Sequence, residues 1–581
     1  MYTNIKGVQI LISLMKQYNI QHIVISPGTR NTPLAHCVET DDFFKCYSIV
    51  DERSAGYFAL GIAEELDVPV CVSCTAATAT CNYLPAMKEA YERNIQLIAL
   101  TADQDKYEMF HMEDQCIDQV DMFHGFVNYA ADVPKVTNET EYWYFNRCVN
   151  EAFLELTHKS KGPVQINYHM SYSLDRLAEF DVPELPVTRK INRYNADADW
   201  KNLAKTVLEK KKILVVAGSD YVNDNKLKES LKYFSKHCNA VVLADTFSNA
   251  FDKDSKYVIK PLSIGEVINR NEIMELKPDL VLSFGNVYYS PMKFFIKKFA
   301  KSIEHWEISL DGMVNDGFRC LTKVFECRPE IFFEGIAKYL EKGKNDEVYY
   351  GIWKKRLDEI KFPDLKFTHF EVIRKFCSKI PENSNLHTSV LDAIRLSNYV
   401  EMDSKVNCFA NIGADGIDGA LSTFLGQAKD DENLSFLLIG DLSLLYDMNA
   451  LLGEISNNVR ILVINNYAGA EFHKNFGLKK IPTLDKHIAA GHSVKIEQCA
   501  VVTNAEYMCA YDDKTLDEAL EKFIISGDKP IILEVFTNAA TDADVLKEYW
   551  KINKNQIKDA KYYVKKVLGE KRIKKIKKII K

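Results

Sequence analysis

Short apolar runs alternate with longer amphipathic stretches along the whole chain, the pattern of α/β domains built around parallel sheets. In the first third, HIVIS, PVCVSCT, IQLIALTAD and PVQINY are strand candidates separated by helical segments. The N-terminal stretch MYTNIKGVQILISLMKQYNI has lysines and polar residues breaking its apolar positions, which predicts a first helix and not a signal peptide. The middle third opens with KKILVVAGSD and continues with AVVLAD, DLVLSFGN and HWEISLD, and the last third holds LSFLLIGD, VRILVINN and KPIILEVF. A polar, proline-containing stretch at 181–200 reads as a linker, and charged segments near 340–365 mark the next boundary. The expectation is an α/β protein of three doubly wound parallel-sheet domains, residues 1–185, 195–345 and 360–550, followed by a tail at 551–581. No letter-level repeat relates the outer thirds.

Composition adds limits. A chain of 581 residues is too long for one core. With 47% hydrophobic and 27% charged residues it is neither collagen-like, mucin-like nor wholly disordered. A net charge of -7 argues against a molecule built to hold nucleic acid. The average hides an asymmetry, because residues 561–581 carry ten Lys/Arg and one acid, leaving -16 on residues 1–560. Ile573, Ile576 and Ile579/Ile580 recur there at helical spacing, so the tail can form a basic amphipathic helix. A solvated tail, weak contact with an anionic membrane surface and contact with the acidic body of a neighbouring subunit are its three readings. No run of 18 or more apolar residues predicts a spanning helix. The 14 cysteines are scattered, and the one CxxC, Cys71 and Cys74, lies in a run that reads as a buried strand without a second ligand pair. Free thiols in an acidic protein point to a reducing, cytoplasmic setting.

Two dipeptides carry the chemistry. Gly440-Asp441 closes LSFLLIGD and Asn465-Asn466 closes VRILVINN, so both sit at carboxyl ends of strands, where open α/β sheets bind ligands. Gly440 permits a tight turn and Asp441 presents a carboxylate. A carboxylate, an amide oxygen and a carbonyl are hard ligands suited to Mg²⁺ on two phosphates. Either dipeptide alone reads as an ordinary turn after a buried strand. Together, with Asn466 25 residues after Asp441, they resemble the thiamine diphosphate motif. That resemblance implies Asp441, the Asn466 amide and the Ala468 carbonyl as metal ligands. It places Gly440, Leu442 and Ser443 against the cofactor.

Such an enzyme also needs a carboxylate against the aminopyrimidine ring. Glu52, in DERSAG between the run CYSIV and a small-residue helix, stands at a strand-to-helix junction, although DER at a helix start also reads as a solvated cap. The stretch ISPGTRNTPL, then DERSAGYFALGIA, CTAATATCNYLPAM, LTAD and Asp114-Gln115 resembles the N-terminal domain of the MenD family. These are the 2-succinyl-5-enolpyruvyl-6-hydroxy-3-cyclohexene-1-carboxylate synthases of menaquinone biosynthesis. NIGADGIDGALST, GDLSLLYDMNAL and VINN are similar to the same family in order and spacing, so the resemblance spans roughly residues 1–550. It implies pyrimidine-binding, middle and diphosphate-binding domains, and Glu52 as the activating glutamate. Ile417 becomes the apolar prop under the cofactor, with Ser389 and Thr78 as further cofactor contacts. Thr29, Arg30, Asp114, Gln115, Asp415 and Lys293 fall at substrate positions. The resemblance also implies a homodimer or homotetramer with the glutamate and the diphosphate site on different subunits.

The family decarboxylates 2-oxoglutarate and joins the product to isochorismate, both rich in carboxylates that call for bidentate arginines. Several such positions differ here. Gln104 follows LTAD where the family has Arg, and Ile412 stands between Asn411 and Gly413 where it has Asn-Arg-Gly. Ala393 lies four residues after Ser389 in place of Arg, with Arg395 two residues further, and Lys293 is the partial counterpart of a Lys-Arg pair. Losing one partner of a buried charge pair costs about 2–5 kcal/mol. The expectation is a MenD-like carboligase or decarboxylase with an altered, less anionic acceptor. The family's own reaction is the alternative, and a catalytically silent scaffold the other class. A flavin-binding relative is weakly supported, because only Gly-Ser-Asp follows ILVVA in the middle third. His111, His124, His387 and His473 lie near site segments and are acid–base candidates, against the commoner structural role.

Overall fold

The computed structural model describes residues 1–170, 179–219, 224–268, 274–287, 290–429, 431–475 and 477–554. The basic tail expected at 561–581 therefore lies outside the described residues. By packing, the chain divides into two units, residues 1–194 with 312–324, and residues 195–311 with 325 onward.

In the first unit, β1 (His22–Ile25), β2 (Lys45–Ser48), β3 (Val70–Cys74), β4 (Leu97–Asp103), β5 (Tyr129–Val133) and β6 (Val164–His169) form one sheet. Its order is β2-β1-β3-β4-β6-β5, and every pairing is parallel. The central strands β3 and β4 are buried on both faces, as helices on both sides of a parallel sheet require. Cys71 and Cys74 are both interior residues of β3, and burial raises the Cys74 thiol to about 12. The expected first helix is Lys6–Gln17. The 181–200 stretch is tied down more than a linker requires, since Thr188 is buried with its hydroxyl 2.7 Å from Ser13 Oγ and 2.6 Å from Gln17 Nε2. This unit also holds β7 (Asn192–Asn195), paired beside β13 (Leu321–Glu326).

In the second unit, β8 (Ile213–Ala217), β9 (Ala240–Ala244), β10 (Val258–Ile259), β11 (Leu280–Phe284) and β12 (Glu304–Ser309) run parallel in the order β10-β9-β8-β11-β12. The third sheet comprises β14 (Asn385–Thr388), β15 (Asn407–Ala410), β16 (Ser435–Gly440), β17 (Val459–Asn465), β18 (Glu506–Ala510) and β19 (Ile531–Phe536). It is parallel throughout, in the order β15-β14-β16-β17-β19-β18. Counted within each sheet, the first and third have the same strand order, a likeness that no letters of the outer thirds reveal.

The charged segment near 340–365 contains the helix Val348–Asp358, which buries Tyr349 and Trp353. Polar anchors join the middle and last sheets inside the second unit. Asn398 Oδ1 accepts the Thr246 N–H at 2.8 Å, Asn249 exchanges two hydrogen bonds with the Cys408 backbone, and Ser263 Oγ lies 2.8 Å from the Tyr549 hydroxyl. No helix among the described residues is long and apolar enough to cross a membrane.

Candidate active site

In the second unit, β16 and β17 lie side by side with Gly440 in register with Ile464, so both dipeptides emerge at neighbouring strand tips. Asp441 opens the helix Asp441–Tyr446 and is buried. Its Oδ1 accepts the Leu442 N–H at 2.7 Å, and its Oδ2 accepts the backbone N–H groups of Asn466 and Tyr467 at 3.1 and 2.7 Å. Burial still pushes the carboxyl up from its ordinary value, against the pull of these donors and of His492. His492 Nε2 stands 3.3 Å from Oδ2 without hydrogen-bond alignment.

Asn466 accepts the Ala468 N–H on Oδ1 at 3.3 Å and donates from Nδ2 to Asp542 Oδ2 at 3.1 Å. At Gly440 strand β16 passes directly into the helix Asp441–Tyr446 with φ −79°, a conformation open to any residue. What its missing side chain leaves is space, since a Cβ there would meet nothing within 4 Å. Asn466, Tyr467, Ala468, Lys486, His492 and Asn538 line a cleft of about 690 Å³. A buried carboxylate short of positive charge, an amide oxygen and a backbone carbonyl beside an open cleft fit a hard divalent cation. The bare strand tip fits a diphosphate approaching the backbone.

Ile417 is 36% exposed, and its carbonyl accepts the buried Ser443 hydroxyl at 2.6 Å, which ties the Ile417 loop to the helix behind Asp441. Ser389 is buried, and its N–H extends β14 pairing to the Leu438 carbonyl at 2.9 Å. Leu391 and Tyr467, both bulky, hold φ of 65° and 62° at these tips, where strained backbone commonly serves a site. Asp415 is exposed with φ 57°. Ile412 is buried in the apolar core beneath. Lys293 lies on the helix Ser290–Lys297, half-buried, with its pKa lowered by burial and by Lys297. His387 is buried, its Nδ1 3.2 Å from Gln427 Oε1, and burial lowers its pKa toward the neutral ring. His473 Nε2 pairs with Asp485 at 3.0 Å.

Behind this tip stands a charge cluster that the sequence reading missed. Asp392 pairs with Lys474 at 2.6 Å and with Arg395, whose guanidinium also meets Glu471 at 2.8 Å and Glu266 at 3.5 Å. His369 places its ring nitrogens 3.4 Å from Asp392 and 3.2 Å from Asp542, without hydrogen-bond alignment. Burial opposes charge on His369, but Asp542 and Asp392 outweigh it and raise it to about 9. Asp392 is held well below the carboxylate range, because Lys474 and His369 overcome its burial. These residues come from five separate segments, and no local motif marks them.

In the first unit, Glu52 opens the helix Glu52–Leu66, capped by Asp51 Oδ1 accepting the Ser54 N–H at 2.9 Å. Its side chain is partly exposed and has no hydrogen bond or ion pair among the described residues. The small residues of that helix allow close packing, as a Cβ at Gly56 would fall 2.7 Å from Ala86 Cβ. Arg30 has a buried Nε without a partner, and its N–H reaches Thr75 Oγ1 at 3.4 Å. Thr29 is exposed, as are Asp114 and Gln115. The Gln104 side-chain amide donates to the Asp114 carbonyl. Thr78 is exposed at the start of the helix Thr78–Asn82, behind Ala77, whose φ is 67° and whose N–H is fixed by buried Gln119 Oε1. His111 is exposed, and exposed His124 sits 3.2 Å from Asp121.

Comparison with known proteins completes the picture. Residues 5–122 match the family described as thiamine pyrophosphate enzyme, N-terminal TPP binding domain. The 2-succinyl-5-enolpyruvyl-6-hydroxy-3-cyclohexene-1-carboxylate synthase of Bacteroides fragilis is 32% identical over 571 residues, covering 96% of this chain and 100% of the relative. The chain belongs to the MenD family. Enzymes of the same name from Bacteroides thetaiotaomicron, 33% identical over 95% of this chain and 99% of the relative, and from Flavobacterium johnsoniae, 32% identical over the same shares, agree. This MenD-family protein is thus a thiamine diphosphate-dependent enzyme, and its three parallel sheets are the α/β architecture expected of one.

Proposed function

We propose that this MenD-family enzyme is a Mg²⁺-requiring 2-oxo acid decarboxylase and carboligase whose acceptor is not isochorismate. Asp441, the Asn466 side-chain oxygen and the Ala468 carbonyl would hold the metal, with Gly440, Leu442, Ser443, Ile417, Ser389 and Thr78 against the cofactor. When bound, thiamine diphosphate supplies the nucleophilic carbon and the electron sink for decarboxylation. Glu52 would hold a proton at the pyrimidine ring, a task suited to a carboxylate with no competing partner among the described residues. Arg30, with its unpartnered Nε, offers the anion contact for the donor's carboxylate, and Thr29, Gln115, Asp114, Asp415 and Lys293 complete the substrate positions. The active form is a homo-oligomer of cytoplasmic enzyme.

The observation that carries the altered acceptor is the fate of the cations. Ile412 fills an arginine position with buried apolar surface, and Arg395 is already neutralised by Asp392, Glu471 and Glu266. A guanidinium with three carboxylates around it offers little to a fourth. Incubation with 2-oxoglutarate and isochorismate, followed for CO₂ and adduct, tests this. The expected result is no adduct, and turnover near that of a true synthase overturns the proposal. The identity of about a third with named synthases across nearly the whole chain favours the family's own reaction as the second reading. The same assay decides between them.

A further inference from the structure

We propose that Asp542 is a positioning residue, holding the Asn466 side-chain amide with its nitrogen inward and its oxygen outward for the cation. This inference rests on the cofactor reading above. Its basis is geometric. Asp542 is fully buried in the first turn of the helix Ala539–Asn553, and every group facing its oxygens is a donor or a cation. Oδ1 accepts the His369 N–H at 2.9 Å and lies 3.2 Å from the His369 ring, while Oδ2 accepts the Thr537 hydroxyl at 2.8 Å and Asn466 Nδ2 at 3.1 Å.

An amide can present either end, and only the oxygen binds a hard cation. Flipping Asn466 would turn its oxygen toward Asp542 Oδ2, whose other donor is the Thr537 hydroxyl, and would set two acceptors 3.1 Å apart in a dry site. The carboxylate therefore permits one orientation. Asn466 is fixed from its backbone as well, since its N–H already binds Asp441 Oδ2. The residue spans the two acids, with one held by its main chain and the other by its side chain. Asp392, itself paired with Lys474, stands on the other side of the His369 ring from Asp542.

This arrangement makes an unusual claim about one substitution. Asn466→Asp adds a second carboxylate beside Asp441, and by ligand chemistry alone it should tighten Mg²⁺ binding. With Asp542 as described, it sets two carboxylates face to face and should weaken binding. Asp542→Asn should weaken it too. Its new oxygen must face the fixed His369 N–H, so its NH₂ faces Asn466 and reverses that amide. The exchange Asn466→Asp with Asp542→Asn restores a donor opposite an acceptor and should restore binding.

The test uses the full-length protein at saturating thiamine diphosphate, titrated with Mg²⁺ and read by thermal shift, with the melting temperature of ligand-free protein as the folding control. Each single variant is expected to need about tenfold more Mg²⁺ for half-saturation, and the exchange to recover to within about threefold of the parent. Tighter Mg²⁺ binding by Asn466→Asp overturns the inference. So does an exchange variant no better than the singles while its ligand-free melting temperature matches the parent. Should Asp542→Asn not fold alone, Asn466→Asp and the exchange variant carry the same decision. If the parent itself shows no joint stabilisation by thiamine diphosphate and Mg²⁺, the cofactor reading fails and takes this inference with it, a different result from unchanged variants on a responsive parent.

Discussion

The N-terminal and C-terminal sheets run in the same strand order, yet their tips hold the chemically important residues by opposite means. Glu52 stands on a capped helix, partly exposed and with no partner among the described residues. Asp441 is buried, with three backbone N–H groups on its oxygens, and its neighbour Asn466 is anchored to a cluster of buried charges. A carboxylate that must take and hold a proton needs freedom from competing donors. An oxygen set that must hold a cation needs its geometry fixed before the cation arrives. One topology serves both because the demands fall on the loops and not on the strands.

The largest effect separates the two tips directly. Glu52→Gln is expected to lower CO₂ release from the productive 2-oxo acid by at least about a thousandfold. It should leave the joint stabilisation by thiamine diphosphate and Mg²⁺ in place. Asp441→Asn should abolish both. If Glu52→Gln lost cofactor binding as thoroughly as Asp441→Asn, the division of labour between the tips would be wrong.

The charge cluster gives the next effect. Asp392→Ala removes a carboxylate that Lys474, Arg395 and His369 share, while Glu471 stays on both cations. The loss should therefore reach at most about 3–5 kcal/mol, the cost of breaking a buried pair. Denaturant unfolding should show this loss in the second unit's transition. No comparable cost is expected on replacing Glu52, whose side chain has no ion pair among the described residues.

A pH series sharpens the contrast. His369 is raised from 6.5 to about 9 in the folded protein, so its contribution is fully present below about 6.5 and is lost as pH rises through 9. Asp392 is depressed, so its contribution is present above its ordinary value of 3.8 and is lost as pH falls through its folded value. The cluster therefore supports the fold most strongly between about pH 4 and 6.5. The rise from 6.5 to about 9 corresponds to an upper bound of about 3 kcal/mol, and His369→Gln should flatten the stability profile across that interval. An unchanged slope in the variant would place the pH dependence elsewhere.

The apolar runs made most strands of all three sheets legible, because strands buried on both faces must be continuously apolar. The strands that escaped, β5, β7, β10, β13, β14, β15 and β18, are short or carry polar residues such as the Asn385 and His387 of β14. Most sit at or next to sheet edges, where fewer strands pack beside them, whereas β14 is buried throughout and escaped because of its polar letters. The Gly440-Asp441 and Asn465-Asn466 tips could be read because each dipeptide terminates an apolar run. At Gly440 the backbone does not itself demand glycine, and what the missing side chain leaves is open space. The cluster of His369, Asp392, Arg395, Glu471, Lys474 and Asp542 had no such signal. Charged residues scattered along helices look solvated in a sequence, and it is the packing of the helix Ala539–Asn553 against the others that buries them together. Arg395 shows the consequence, since counting cations along the chain cannot tell a free guanidinium from a spent one.

The smallest effect asks whether the anchor of Asn466 depends on local helix structure or on the buried cluster. Asn538 caps the helix that carries Asp542, its Oδ1 accepting the N–H groups of Ala540 and Thr541 at 3.1 Å each. Replacing such a cap by alanine costs about 1 kcal/mol. Asp542, however, is held independently by the His369 N–H and the Thr537 hydroxyl, neither of which belongs to that helix. Asn538→Ala should thus lower the stability of the second unit slightly while leaving the Mg²⁺ half-saturation where it was. Asp51 caps the Glu52 helix in the same way, but there the side chain has no second restraint among the described residues, so Asp51→Ala should lower turnover more than it lowers cofactor affinity. A fall in Mg²⁺ affinity in Asn538→Ala would mean that the helix terminus, and not the cluster behind it, sets the orientation of Asn466, and the contrast between a free tip and a braced one would collapse.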